Sequence, residues 1–164
     1  MASSRPGGAW VSLPLALAIT AIAAAVGSAA SIHAPEFYGT LAKPSWAPGP
    51  GVFGPVWTAL YLMMAVAAWL VWRRAGWPAA TGPLALYLIQ LALNALWTWL
   101  FFRWRSGTWA LVEILLLWIV LLITLISFWC VQRPAGMLLL PYLAWVTFAA
   151  ALTFSVWRLN PRLL

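Results

Sequence analysis

Residues 107–131 have the sequence GTWALVEILLLWIVLLITLISFWCV, and this stretch decides the class of protein. It is longer than the roughly 20 helical residues that cross a hydrocarbon core about 30 Å thick. Glu113 is its only charged residue. Because lipid offers no hydrogen-bond partner to backbone amides, a spanning stretch without the alternation of a barrel strand must be a helix. The stretch therefore predicts a transmembrane helix.

Four further apolar stretches lie on both sides of this one. The chain of 164 residues is 65% hydrophobic and 7% charged, whereas soluble domains are about 45–50% apolar and about 25% charged. A soluble globular domain is therefore excluded, and so is a disordered chain, which would be poor in apolar residues. We predict a single all-α integral membrane domain over residues 1–164, a bundle of five transmembrane helices. The predicted spans are residues 10–30, 55–72, 83–102, 107–131 and 135–157.

The charge balance is strongly basic, with nine Lys and Arg residues, two Asp and Glu residues and a net charge of +7. In a soluble protein this balance would suggest nucleic acid. Here the basic residues stand singly or in pairs between apolar runs, as they do in membrane proteins, so we expect no nucleic-acid partner. One cysteine and one histidine cannot form an internal disulfide or a metal-ligand cluster, and we expect neither a metal site nor a cofactor.

The first span admits two interpretations. Arg5, the apolar run after it and Ser28-Ala29-Ala30 are also typical of a cleaved signal peptide. The apolar run is longer than the usual core of about 7–15 residues in such a peptide. We therefore expect residues 10–30 to remain in the protein as a membrane helix.

Residues 31–54 form the only long connection between the predicted spans. Several prolines and glycines punctuate the segment too strongly for a helix. A long loop in an otherwise minimal bundle is usually functional or disordered. Because the segment carries Trp46 and Phe53, we favour a functional loop.

Three spans carry polar and aromatic side chains at helical spacing, so that each set forms one stripe. Such stripes would line a cavity for a large, flat, apolar ligand with a few polar groups. Alternatively, Gln90 and Asn94 would join helices through interhelical hydrogen bonds. The residues alone leave both interpretations open. The stripes are Trp57, Tyr61, Met64 and Ala68; Tyr87, Gln90, Asn94, Trp97 and Phe101; and Tyr142, Trp145, Ala149 and Leu152.

Glu113 is the only acid inside a predicted span. An intramembrane acid often marks a proton or cation site. A proton relay normally needs more than one titratable group, however. We therefore expect Glu113 to pair with Arg103 or Arg105 across the short connection before its helix.

Five segments resemble, in order, the signature of the TspO/MBR family, which includes the tryptophan-rich sensory proteins and the mitochondrial translocator protein or peripheral-type benzodiazepine receptor. The resemblance covers about residues 41–160. Chance similarity between apolar helices would not reproduce the first of these segments. They are KPSWAP (43–48), VFGPVWTALY (52–61), QLALNALWTWLFF (90–102), PYLAWVTFAA (141–150) and VWRLN (156–160).

The resemblance implies a five-helix bundle, usually a homodimer, in which the long first loop caps a ligand cavity. Members of the family bind tetrapyrroles such as protoporphyrin IX and haem, and some bind cholesterol and benzodiazepine-type drugs. The resemblance favours ligand contact for Gln90 and Asn94. The expected ligand-binding residues are Trp46, Trp57, Tyr61, Gln90, Asn94, Trp97, Tyr142, Trp145 and Ala149.

The expected function is that of a membrane receptor or sensor for protoporphyrin IX or haem. The ring would stack on Trp57 and Trp145, and the propionates would lie toward the loop, near Lys43 or a basic interfacial residue. Two alternatives remain. Trp57 and Trp145 match a pair linked in some bacterial relatives to light-dependent porphyrin breakdown, and no other catalytic arrangement is evident. The second alternative is transport of porphyrin or lipid. Five spans do not divide into the inverted repeats on which many transporters rely for alternating access.

The sequence differs from the family pattern at two positions that bear on sterol binding. Phe154 replaces the tyrosine of the family's sterol-recognition pattern and Thr153 replaces a common asparagine, so sterol binding is doubtful. Membrane lipid is an expected partner. For the expected homodimer, the third span offers small residues that permit close helix approach, Ala85, Ala92 and Ala95. Frequent alanine and more Arg than Lys suggest a bacterial cell membrane.

Overall fold

The computed structural model describes the backbone of residues 8–164 and the side chains from Leu13 onward; Arg5 lies outside this range. Helices other than the short α2 are long and apolar enough to cross a membrane, so five candidate spans are present among the described residues. The predicted five-helix membrane fold is thereby confirmed. The helices are α1 (Gly8–Ala30), α2 (Ala34–Thr40), α3 (Phe53–Ala75), α4 (Thr81–Thr98), α5 (Gly107–Val131) and α6 (Arg133–Leu159).

Helix α2 lies inside the segment that the sequence predicted to be non-helical, so that prediction was wrong for Ala34–Thr40. Pro35 stands in the first turn of the helix, where its missing N–H leaves no hydrogen bond unmade. Phe37 and Tyr38 are buried, and this burial holds a helix too short to be stable alone. A 3₁₀ turn (Pro50–Val52) leads directly into α3.

The five long helices form a closed ring in the order α1, α3, α6, α5, α4, with each helix packed against the next. Helix α1 is therefore an integral part of the bundle, and the Thr20 and Tyr87 hydroxyls join α1 to α4 at 2.5 Å. A π-helical turn (Trp99–Arg103) extends α4. The core between the helices is apolar and includes Met64, Leu121, Phe128, Leu139 and Val146.

The outward face of α5 is apolar, with side chains about half exposed, such as Leu115 and Ile119. In water such an exposed apolar surface would favour aggregation, whereas in a bilayer the acyl chains of the lipids cover it. The fold thus fits a multi-pass membrane protein on its surface as well as in its helix lengths.

Glu113 does not form the expected ion pair. It is 6% exposed, and neither carboxyl oxygen has a hydrogen-bond partner among the described residues. The Arg105 guanidinium lies instead 4.7 Å from the centre of the Phe37 ring on α2. The expectation of a pair with Arg103 or Arg105 was therefore wrong, because the carboxyl faces the bundle interior while both arginines are exposed.

Asn160, just after α6, ties the long connection to the bundle. Its Oδ1 accepts a hydrogen bond from the Ala42 backbone N–H at 2.9 Å. Its Nδ2 donates to the Ala42 carbonyl at 2.8 Å and to the Val156 carbonyl at 2.7 Å. The amide thus pairs with a peptide group as a neighbouring strand would, and it fixes the position of residues 41–42.

We expect Asn160→Ala to loosen this connection, because Ala42 loses both backbone partners at a net cost of about 1 kcal/mol for each bond. Amide hydrogen exchange at Ala42 measures the effect, which should be an increase of several-fold or more. Asn160→Asp is the matched control, since it keeps one acceptor and should give intermediate exchange. Unchanged exchange in Asn160→Ala would show that the bonds do not hold the segment.

Candidate ligand-binding site

A cavity of about 470 Å³ lies between α1, α3, α4 and α6, at the end of the bundle where α2 packs. Its volume falls within the range of about 300–1,000 Å³ that is typical of sites for drug-sized molecules. Residues from α2 and from the 3₁₀ turn contribute to the wall. The wall consists of Ala24, Gly27, Ser28, Ser31, Ala34, Pro35, Tyr38, Pro50, Phe53, Gly54, Trp57, Thr58, Tyr61, Asn94, Trp97, Thr98, Phe102, Trp145 and Ala149.

Aromatic rings make up one side of the wall. The Trp57 and Trp145 rings are nearly perpendicular, at 87°, with centroids 6.5 Å apart. Trp57 also lies 5.5 Å from Tyr61, its neighbour one helical turn along α3. Phe53 meets Trp145 edge to face at 6.0 Å. A flat aromatic molecule can therefore stack on one of these two indoles and meet the other edge-on, but it cannot stack on both as the sequence led us to expect.

Asn94 connects three helices at the base of the cavity. The Tyr61 hydroxyl donates a hydrogen bond to Asn94 Oδ1 at 2.6 Å, and Asn94 Nδ2 donates to the Tyr142 hydroxyl at 2.9 Å. Helices α3, α4 and α6 are thus held together by one buried amide, as the interhelical interpretation of this residue predicted. Asn94 also lies in the cavity wall, and one N–H and one lone pair of its amide are not used by these two hydrogen bonds.

Two indole N–H groups in the wall are left without partners. Trp97 Nε1 and Trp145 Nε1 are both buried, and neither donates to a described protein acceptor. Trp97 is held in place by stacking on Phe101, with a centroid distance of 5.3 Å and an angle of 14°. Buried donors nearly always have an acceptor. The wall residues Trp97 and Trp145 therefore each hold one buried donor that has no acceptor within the described protein.

Six of the nine predicted site residues lie together in the wall: Trp57, Tyr61, Asn94, Trp97, Trp145 and Ala149. Trp46 does not; it is 48% exposed and contacts Phe148 at 5.7 Å. Gln90 is fully buried in the helix core, with Nε2 3.7 Å from the Met64 sulfur. Tyr142 is also fully buried and lies behind the wall, where it bonds Asn94.

Lys43 also lies outside the wall, although the sequence placed ligand carboxylates near it. Its ammonium donates to the Tyr38 and Leu41 carbonyls at 2.7 and 2.9 Å and lies 4.8 Å from the centre of the Tyr38 ring. A cation there satisfies the free carbonyls at the end of α2. Burial raises the pKa of Tyr38, and its neutral hydroxyl donates to the Pro48 carbonyl at 3.2 Å.

The contribution of α1 to the wall was missed from the sequence. Its lining residues Ala24, Gly27 and Ser28 are small and carry no aromatic or amide signal. A Cβ on Gly27 would lie 3.2 Å from Thr98 Oγ1, so glycine there permits the close approach of α1 to α4. The available signal was the spacing of small residues at three and four positions, through Thr20, Ala24, Gly27 and Ser31.

Comparison with known proteins gives a consistent result over most of the chain. The sequence profile of the TspO/MBR family matches residues 11–158. The chain is 43% identical over 155 residues to the tryptophan-rich protein TspO of Chlorobaculum tepidum, covering 91% of this chain and 97% of that protein.

It is 44% identical over 127 residues to the translocator protein of Homo sapiens, covering 76% of this chain and 75% of that protein. It is 39% identical over 141 residues to protein CrtK of Rhodobacter capsulatus, covering 84% and 88%. The Chlorobaculum and Rhodobacter relatives fit a bacterial origin. The resemblance in the five sequence segments is thereby confirmed, and the chain belongs to the TspO/MBR family of multi-pass membrane proteins.

Proposed function

We propose that this protein is a membrane receptor that binds a tetrapyrrole, protoporphyrin IX or haem, in the cavity between α1, α3, α4 and α6. The observation that carries the proposal is the aromatic wall of this cavity, in which the buried indole N–H groups of Trp97 and Trp145 have no protein acceptor. Ring faces suit a macrocycle, and fixed donors suit its peripheral carbonyl oxygens. The segment 31–54 would cap the bound ring.

The chemistry of the wall favours the metal-free ring. The wall residues include no histidine, cysteine or methionine, and the hydroxyls of the wall's two tyrosines, Tyr38 and Tyr61, donate hydrogen bonds to the Pro48 carbonyl and to Asn94. The wall therefore offers no uncommitted side chain of the kinds that commonly bind haem iron. His33 lies outside the wall, and its side chain is 81% exposed. Protoporphyrin IX is therefore expected to bind at least as tightly as haem. The exposed cations Lys43 and Arg105, at the same end of the bundle, would attract the ring's carboxylates.

The direct test is a titration with protoporphyrin IX in the dark, using the purified protein and the variants Trp97→Phe and Trp145→Phe. Each variant keeps a ring but removes one donor, at a net cost of about 0.5–1.5 kcal/mol, so Kd should rise about 2- to 12-fold. Trp109→Phe is the control, because Trp109 is 64% exposed on the outside of α5. Equal Kd values in all proteins would show that neither indole N–H contacts the ligand.

A light-dependent breakdown of the bound porphyrin is the second candidate function. The close, perpendicular Trp57 and Trp145 rings favour it, because indoles beside an excited porphyrin are potential redox partners. Illumination of the complex should then bleach the porphyrin band faster than illumination of free porphyrin in the same detergent. Trp57→Phe and Trp145→Phe should slow the loss even when the ligand is saturating. Equal bleaching with and without protein would exclude this activity.

We also propose a homodimer that uses the outer face of α4. Ala85 and Ala92 are exposed on that helix, whereas Ala95 is buried against Gly27 of α1 and is not available to a partner. Small residues allow two helices to approach closely in lipid. Cysteines at positions 85 and 92 in a Cys130→Ser background should form disulfide-linked dimers in membranes, and a cysteine at Ile123 on α5 should not.

A further inference from the structure

The exposed part of the cavity wall is confined to one side. Of the lining residues, the exposed ones are Ser28 at the end of α1, Gly54 and Thr58 in the first turns of α3, and Pro35 and Pro50 between those helices. The opposite wall on α4 and α6 is buried or half-buried. The cavity therefore has an opening between α1 and α3, and we call this the lateral opening.

Small side chains keep the lateral opening unobstructed. Ser28, Gly54 and Thr58 border it, and a Cβ built on Gly54 would meet no atom within 4 Å. Bulky side chains at such positions would close the gap by packing across it, as they do elsewhere in the bundle. The gap thus results from the choice of residues on both helices.

The depth of the lateral opening corresponds to the membrane interface. Ser28 is within about 3 Å of the end of α1, and Thr58 is about 8 Å from the start of α3, at 1.5 Å per residue. The exposed Trp104 and Trp109 stand at this same end of the bundle, and exposed tryptophans concentrate at the headgroup level. The opening therefore lies beside the headgroups and the upper acyl chains.

The surface around the lateral opening is apolar. Ile32 flanks it on the α1 side and is 71% exposed, while Val52 and Leu62 flank it on the α3 side and are 45% and 53% exposed. Apolar side chains on both borders favour contact with lipid over contact with water. We infer that the site takes its ligand from the bilayer through the lateral opening, and so selects amphiphilic planar molecules that are already dissolved in the membrane.

This inference rests on the proposed function for its ligand, but the surroundings of the opening are measurable without any ligand. In a Cys130→Ser background, nitroxide labels are attached at Ser28→Cys and Thr58→Cys in proteoliposomes. Collision with oxygen, which concentrates in lipid, is compared with collision with a water-soluble nickel chelate. Leu115→Cys on the outer face of α5 is the lipid reference, and Arg162→Cys after α6 is the water reference.

At both labels, collision with oxygen should exceed collision with the nickel chelate, as at Leu115→Cys. A nickel-dominated profile at either position would overturn the inference, because the opening would then face water. This result does not depend on porphyrin binding, so it separates the failure of the inference from the failure of the proposed function.

The kinetic test uses protoporphyrin IX dissolved in the proteoliposome membrane. Thr58→Trp should narrow the opening and lower both the association and the dissociation rate constants by about tenfold. Because Thr58 also lines the cavity, the two rate constants, not Kd, are the readout of this test. Ala59→Trp is the matched control, since Ala59 is exposed on the same helix but lies outside the wall. Unchanged rate constants in Thr58→Trp, or a change in only one of them, would overturn the route. Absence of saturable binding to the unmodified protein would refute the proposed function instead.

Discussion

Trp145→Ala is expected to weaken protoporphyrin IX binding by roughly 30- to 150-fold, the effect of losing about 2–3 kcal/mol at a central aromatic contact. Trp145 lines the cavity and contacts Phe53 at 6.0 Å, Trp57 at 6.5 Å and Phe148 at 5.3 Å. Truncation removes a stacking surface and a donor together, and it frees three neighbouring rings to move. Quenching of tryptophan fluorescence and the shift of the porphyrin absorption band measure Kd.

Arg133→Ala is the control for Trp145→Ala, because Arg133 is exposed at the opposite end of the bundle, where α6 begins. Its Kd should equal that of the unmodified protein. Equal losses in both variants would mean that the porphyrin responds to surface charge or to the micelle, and the cavity would lose its assignment.

Gly136→Ala is expected to lower the free energy of unfolding by about 1–3 kcal/mol, as overpacking in a close contact does. Gly136 faces the end of α5, and an added Cβ would lie 2.8 Å from Trp129 Cβ and 2.9 Å from Trp129 Cα. The Cα atom cannot move without shifting α5, and only Gln132 separates the two helices. Thermal unfolding in detergent, followed by circular dichroism, should show a loss of about 5 °C.

Gly82→Ala is the matched control for this stability effect. Gly82 also lies in a long helix, and a Cβ there would meet no atom within 4 Å. Since alanine is favoured over glycine inside helices by up to about 1 kcal/mol, the control should unfold at the same temperature or slightly higher. A stable Gly136→Ala protein would contradict the close packing of α5 on α6.

The long helices were predictable because each is an apolar stretch long enough to cross the hydrocarbon core of a membrane. The residues on α3, α4 and α6 that form the site were equally visible, since Trp57, Asn94 and Trp145 interrupt apolar sequence at helical spacing. Helix α2 was not predictable in the same way. Its stability depends on the burial of Phe37 and Tyr38 and on Lys43 at its end, which are tertiary contacts.

The errors within the site have a common cause. Helical spacing places side chains on one face but does not give their depth, so Gln90 and Tyr142 share stripes with wall residues yet lie behind the wall. Trp46 lies in the segment KPSWAP (43–48), and the hydrogen bonds between Asn160 and Ala42 fix where the chain enters this segment. This tertiary contact is not visible in the spacing of residues. Glu113 shows the same limit, because loop proximity to Arg105 does not fix the direction in which the carboxyl points.

The central claim is that the cavity itself holds the porphyrin, and filling the cavity tests it most directly. Ala149→Trp adds a large ring at a wall position while leaving the indole donors and the Asn94 hydrogen bonds in place. Titration in the dark should give saturable binding near one porphyrin per chain for the unmodified protein and no saturable binding for Ala149→Trp, provided that both unfold at similar temperatures. Superimposable titration curves from two folded proteins would contradict the account, because the porphyrin would then be bound outside the cavity.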